Sequence, residues 1–227
     1  DVSGFGLDSS EELFIRWMEM GPFIPIFRNH SNMYTRRQEP WAFGPRAEKI
    51  AKKSIELRYE LLPYIYDLYY ISHKEGLPIF RPMIMEYEKD MNLLNMREQF
   101  MLGENMLVAP VLYEGERSKT VYLPKGSWFN YFTMEKLQGG KWYKLPCELD
   151  EILVFVKEGA IIPTYNKKFR NVKERPKNIL LKVFGENAKG FHYNDDGHTM
   201  EYLEGKYTYM DIKVVDGKEE LKLINNG

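Results

Sequence analysis

Apolar positions recur at two different periods along the 227-residue chain, and the period changes near residue 77. Before it the spacing is helical. Leu13, Trp17 and Met20 fall three and four residues apart and predict a helix over 11–20. Ser9 and Glu12 have the spacing of a capping box at its start, and Gly21-Pro22 is a stop signal at its end. The run Phe23-Ile24-Pro25-Ile26-Phe27 then reads as a short buried strand that delivers Arg28-Asn29-His30 at its C-terminal end. A second helix is predicted from Pro45, with Ile50, Ser54, Leu57, Leu61, Ile65 and Leu68 along one stripe and Lys74-Glu75-Gly76 at the end. Pro63 lies inside this pattern and should kink it, because proline lacks the N–H and crowds the preceding turn. Residues 1–76 therefore read as end of strand, helix, strand, helix, a βαβα segment for which a parallel sheet is the natural host.

From Leu77 onward the pattern belongs to strands. Met106 to Val111, Lys119 to Leu123, Trp128 to Phe132, Lys141 to Leu145 and Ile152 to Val156 are candidates, and Ile161-Ile162-Pro163 closes that block. A stretch over 164–177 is dense in Lys and Arg and reads as a solvated linker. A last block opens at Asn178, with Asp196-Gly197, Glu204-Gly205 and Asp216-Gly217 at hairpin spacing. Tyr207 to Val214 alternates as a two-faced antiparallel strand does. The domain reading is thus 1–76, 77–163, a linker over 164–177, and 178–227. No internal repeat or low-complexity tract interrupts it.

Composition narrows the function classes. Hydrophobic residues make up 44%, which is globular usage and excludes a largely disordered chain. A net charge of -1 argues against a nucleic-acid binder, which would carry a basic excess. No stretch approaches the roughly 18 apolar residues of a membrane span, and the opening has neither the basic region nor the apolar run of a secretory signal. The expected location is cytoplasmic. A single cysteine, Cys147, excludes an internal disulfide and a cysteine-cluster zinc site. Aromatic residues reach 15%, which suits large cores and sugar-stacking surfaces alike.

Few residues are candidates for chemistry. The four histidines, His30, His73, His192 and His198, form no i, i+4 metal pair. His192 and His198 flank Asp195 and Asp196, but Asn194-Asp195-Asp196-Gly197 reads as a plain turn, so no metal and no cofactor are expected. Cys147 has no evident histidine partner and is not expected to be a nucleophile. Arg28 and His30, at a strand tip, can both donate to hydroxyl groups. The competing structural reading pairs Arg28 with Glu39. The aromatics of Glu39-Pro40-Trp41-Ala42-Phe43-Gly44 could stack on a sugar or fill the groove under the loop, and filling is favoured.

Ordered motifs run the length of the chain. They include Asp1-Val2-Ser3-Gly4-Phe5, Gly21-Pro22-Phe23-Ile24-Pro25, Phe27-Arg28-Asn29-His30, Glu39-Pro40-Trp41 and Leu61-Leu62-Pro63-Tyr64-Ile65-Tyr66. Gln99-Phe100-Met101-Leu102-Gly103, Leu107-Val108-Ala109-Pro110-Val111 and Tyr122-Leu123-Pro124 continue the series, and Tyr193-Asn194-Asp195-Asp196-Gly197 and Tyr202-Leu203-Glu204-Gly205-Lys206-Tyr207 end it. Together they resemble the C-terminal portion of family 31 glycoside hydrolases, the α-glucosidase and α-xylosidase family.

The resemblance implies an α/β plus all-β fold: the last two strand–helix units of a (β/α)8 TIM barrel, followed by proximal and distal β-sandwich-like domains. It implies retaining cleavage of terminal α-linked glucose from oligosaccharides by two carboxyl groups about 5 Å apart, one a nucleophile and one an acid/base. In the family both lie upstream of the motif that Asp1 begins, and Lys89-Asp90-Met91-Asn92 lacks the flanking residues of the nucleophile motif. No catalytic carboxylate is therefore assigned in this chain, and its expected partner is the N-terminal polypeptide of the same enzyme. Asp1, Phe5, Arg28 and His30 match family positions that line the sugar pocket. The partners expected are an α-linked oligosaccharide, no nucleic acid and no membrane, with homo-oligomerisation left open. The competing reading is a non-catalytic β-rich carbohydrate-binding or scaffold module.

Overall fold

The computed structural model describes residues 1–226. It separates into one unit built from Asp1–Arg58 with Phe80–Phe155, and a second built from Tyr59–Ile79 with the chain from Val156 onward.

The first unit opens with helix α1, Glu11–Met20. Its N-cap is Ser10, whose hydroxyl accepts from the Leu13 amide at 3.1 Å, with Glu11 and Glu12 placed favourably in the first turn. Ser9, expected in that role, is instead buried and hydrogen-bonded to Ser3 at 2.6 Å between hydroxyls. The buried face is also not the expected one. Phe14, Ile15 and Met18 point inward against Phe43, Ala47 and Ile50, while Leu13 is 40% exposed. Two adjacent apolar stripes run along this helix, and only the partner surface chooses between them. That partner includes helix α2, Pro45–Glu60, which buries Ala47, Ile50, Ala51 and Ser54.

The strand expected over Phe23–Phe27 is not formed. Gly21–Phe23 is a 3₁₀ turn, and the residues after it are extended chain without a ladder. Pro22 and Pro25 have no amide to donate. The carbonyls of Pro22, Ile24 and Pro25 accept from the Arg58 guanidinium at 3.0, 2.6 and 2.7 Å. A strand exists only through its neighbours' hydrogen bonds. Here a single parallel bridge, Val2 to Asn29, is what remains of that pattern.

The β part of this unit starts at β1, Phe80–Pro82, followed by one helical turn, Met83–Glu86. Then come β2, Phe100–Leu102; β3, Met106–Ala109; β4, Ser118–Leu123; β5, Ser127–Asn130; β6, Lys136–Gln138; β7, Lys141–Pro146; and β8, Leu153–Lys157. Six of them form a sheet in the order β1-β2-β3-β8-β5-β6, and β4 pairs antiparallel with β7. Side chains of both layers share one core that includes Met101, Leu107, Val121, Leu123, Trp128 and Phe155. β2 and β3 are buried at every position, which is why they read as continuous apolar runs. Buried Arg16 of α1 ties the helix to this part. Its guanidinium donates to the carbonyls of Glu148, Glu151, Glu116 and Cys147 at 2.7 to 3.4 Å.

In the second unit α3, Leu62–Glu75, begins just after Leu61. The expected kink at Pro63 is a full break from the preceding helix, which places the proline in a first turn, where no amide hydrogen is required. Gly76 ends α3 in the left-handed region at φ 72°. The sheet runs β10-β9-β11-β12-β13, with β9, Ala160–Tyr165; β10, Ile179–Phe184; β11, Ala188–Asn194; β12, Thr208–Val215; and β13, Lys218–Asn226. The Ile161-Ile162-Pro163 run, expected to close the preceding block, thus pairs in register with Leu181, Lys182 and Val183 of the later one. Asp216-Gly217 makes the predicted hairpin, with φ of 49° and 72°. Asp196-Gly197 and Glu204-Gly205, expected at hairpins of their own, instead lie together inside the longer connection from β11 to β12. Asp67 of α3 is buried against β11, where its carboxylate accepts from the Tyr193 amide at 2.8 Å and faces His192 Nδ1 at 3.1 Å. Burial pushes Asp67 up to about 6, with His192 and the Tyr193 amide pulling the other way.

Candidate sugar-pocket residues

The opening segment and the segment after Phe27 lie side by side. The Val2 amide donates to the Arg28 carbonyl at 2.8 Å, and the Asn32 amide to the Phe5 carbonyl at 2.9 Å. Ser3 and Gly4 turn the chain between these contacts, both in the left-handed region at φ 74° and 88°. Two pairs of candidate residues result. The Arg28 guanidinium holds Asp1 through Oδ1, with Nε at 3.1 Å and Nη2 in close contact. The Phe5 ring lies 5.4 Å from the His30 ring, tilted by 31°. All four side chains reach solvent.

Arg28 therefore does have a carboxylate partner, but it is Asp1 and not Glu39, which pairs with Arg37 at 2.9 Å. The loop after it divides its aromatics. Phe43 is buried, stacked on Phe14 at 4.2 Å with the Arg36 guanidinium 4.2 Å from its ring centre, whereas Trp41 remains 65% exposed. Filling accounts for Phe43 and not for Trp41.

One positioning residue carries no sequence signal. Buried Gln38 donates from Nε2 to the Gly4 carbonyl at 3.0 Å, and its main-chain carbonyl accepts from Asn29 Nδ2 at 2.5 Å. It links the two segments, and nothing in its neighbours along the chain announces this.

The other candidate chemistry resolves into structure. Asp195 accepts from the hydroxyls of Tyr66 and Tyr193 at 2.5 and 2.8 Å. Asp196 accepts from the His198 and Thr199 amides, which lower its carboxyl to about 2. No group of three potential metal ligands occurs among the described residues. Burial raises the Cys147 thiol to about 11, far from a nucleophile's range. Asp90 caps a 3₁₀ turn, accepting from Asn92 and from the Tyr122 hydroxyl.

Residues 1–68 match the TIM-barrel domain of glycosyl hydrolases family 31, and residues 76–162 match that family's C-terminal domain. The chain belongs to glycoside hydrolase family 31. Among family 31 relatives, alpha-glucosidase 2 of Bacillus thermoamyloliquefaciens is 38% identical over 226 residues, covering 99% of this chain and 29% of the relative. An alpha-xylosidase of Saccharolobus solfataricus is 37% identical, covering 98% and 31%. The solved glucosidase II alpha subunit superposes with a TM-score of 0.93 at 27% identity, over 99% of this chain and 25% of that one. A family 31 dextranase of Flavobacterium johnsoniae, solved with glucose, gives 0.83 at 35% identity, over 94% and 27%. The chain thus spans about a quarter to a third of the proteins it matches.

Proposed function

We propose that this chain is the C-terminal part of a retaining α-glycosidase acting on terminal α-linked glucose, and that Asp1, Phe5, Arg28 and His30 line the pocket for that sugar. The observation that carries the reading is the pairing of Asp1 with Arg28 and of Phe5 with His30 across one short parallel bridge. The two carboxyl groups that break the glycosidic bond belong to the portion of the enzyme preceding Asp1, so this chain binds and orients.

Each role follows from chemistry. Arg28 engages only Oδ1 of Asp1, so Oδ2 is turned over to accept from a sugar hydroxyl. The charge-assisted bonds from Arg28 fix that carboxylate in direction. An imidazole nitrogen of His30 supplies a second hydrogen bond to a neighbouring hydroxyl. The Phe5 ring offers a flat apolar face to the C–H side of a pyranose. These contacts orient the anomeric carbon toward carboxyl groups supplied by the preceding part of the enzyme.

The test is His30→Ala in the complete enzyme. Leaving a buried hydroxyl unpaired costs about 1–3 kcal/mol, so kcat/KM is expected to fall by roughly one to two orders of magnitude. Thermal stability should change little. A lower Tm with kcat/KM within about twofold of the parent would make His30 a structural residue and remove the assignment. Arg28→Ala should lower both activity and stability, because Arg28 also anchors the Asp1 segment.

A further inference from the structure

We infer that the second unit carries a carbohydrate-binding cleft of its own, a tyrosine-walled cavity between α3 and the β11–β12 connection that takes a neutral pyranose. The cavity measures about 440 Å³, within the range of small-molecule sites of about 300–1,000 Å³. Every lining residue belongs to this unit.

Its floor is rigid. Tyr70 stacks on Tyr193 at 4.3 Å and 19°, and Tyr193 meets Tyr207 at 5.3 Å. Asp195 locks the rings of Tyr66 and Tyr193 by their hydroxyls and also accepts the Gly197 amide at 2.8 Å. Its walls are polar and adaptable. Tyr202, on the 3₁₀ turn Glu201–Glu204, stands edge-on to the His73 ring at 6.0 Å, and Lys74 Nζ lies 5.8 Å from the centre of the Tyr70 ring. Among the described residues neither His73 nor Lys74 makes an ion pair or side-chain hydrogen bond, so both can donate to a ligand.

This chemistry selects the ligand class. Flat aromatic faces beside hydroxyl, imidazole and ammonium donors match the C–H faces and equatorial hydroxyls of a sugar. An organic cation is disfavoured, because the nearby carboxylate already holds three donors and Lys74 repels it. A phosphate ligand would need more than one ammonium. A purely apolar ligand would find one aliphatic side chain, Leu203. The cleft shares no residue with the pocket proposed around Asp1 and His30.

The experiment is a titration of the whole 227-residue chain with maltotriose and with isomaltotriose, read by saturation-transfer NMR and calorimetry. A Kd of about 1 mM is expected for at least one of them. Tyr202→Ala and His73→Ala, both at the rim, should each weaken it about five- to tenfold by removing a stacking face or a donor, with the circular dichroism spectrum unchanged. His30→Ala should leave the Kd as it was. Absence of binding at 10-fold the expected Kd would overturn the cleft. So would binding abolished by His30→Ala and untouched by both rim variants, which would put the sugar in the first unit instead. If one rim variant fails to fold, the other decides the matter.

Discussion

Glu19 and Arg16 show how much one buried pair can dictate. Arg16 is satisfied chiefly by backbone carbonyls and reaches Glu19 at only 3.4 Å. Glu19 is 6% exposed, and its Oε1 has no hydrogen-bond partner among the described residues. Desolvation pushes its carboxyl up to about 9, against the pull of Arg16. The folded state therefore binds a proton that the unfolded chain releases near pH 4.5. The sign follows by linkage: the stabilisation is fully present below about pH 4.5 and is lost as pH rises toward about 9. Glu19→Gln keeps the shape and removes the titration. It is expected to match the parent in urea unfolding near pH 4.5 and to exceed it at pH 8 by roughly 4 kcal/mol. Two parallel pH profiles would show that Glu19 stays ionised in the folded chain.

Among elements, the Gly139-Gly140 corner, where the chain passes from β6 in one sheet to β7 in the other, is tightly constrained. Its glycines tie it to the end of β4 and the β4–β5 connection, with the Gly139 amide bonded to the Gly126 carbonyl and the Gly140 amide to the Leu123 carbonyl, each at 2.7 Å. A Cβ on Gly139 would overlap the Pro124 carbonyl oxygen and sit 2.8 Å from that of Gly126. Both obstacles are backbone and cannot rotate away. Gly139→Ala should therefore cost about 2–3 kcal/mol. At Gly140, φ is 84° and a Cβ would meet only Lys125 Cγ at 3.5 Å, so Gly140→Ala should cost about 1 kcal/mol of backbone strain. Thermal melts of the two variants rank them, and a smaller loss at Gly139 would contradict this geometry. Trp128, anchored on the Pro124 carbonyl at 2.8 Å, would be the first core residue disturbed.

At the scale of the molecule, protection should be uneven. The chain over 24–30 has one bridge and an arginine holding its carbonyls, whereas β11, β12 and α3 have complete ladders or helical turns. Hydrogen exchange should be fast at the amides of residues 26–30 and slow in β11 and β12. Supplying the polypeptide that precedes Asp1 in a complete family 31 enzyme should slow exchange at 26–30 specifically. Equal protection with and without it would mean that this segment needs no further neighbours. By the same reading, the pure 227-residue polypeptide should not turn over a chromogenic α-glucoside. Turnover by it alone, with no other polypeptide detectable by mass spectrometry, would refute the division of labour proposed above.

What the sequence determined by itself was local and chemical. Helix α1 was legible because its period and its Gly21-Pro22 stop are properties of neighbouring residues. An interruption at Pro63, read as a kink although it is a full break, and the Asp216-Gly217 hairpin were legible for the same reason. The motifs naming the family were readable because they run in order along the chain, and they supplied Asp1, Phe5, Arg28 and His30 as candidates. Tertiary structure decided whatever depends on a partner distant in sequence. It chose Phe14, Ile15 and Met18 over Leu13 as the buried stripe, because the surface containing Phe43 and Ala47 lies on that side. It left Phe23–Phe27 without a ladder, since pairing and not propensity makes a strand. It joined Arg28 to Asp1 and placed Gln38 beneath both segments, contacts spanning 27 and 34 residues that no local pattern encodes.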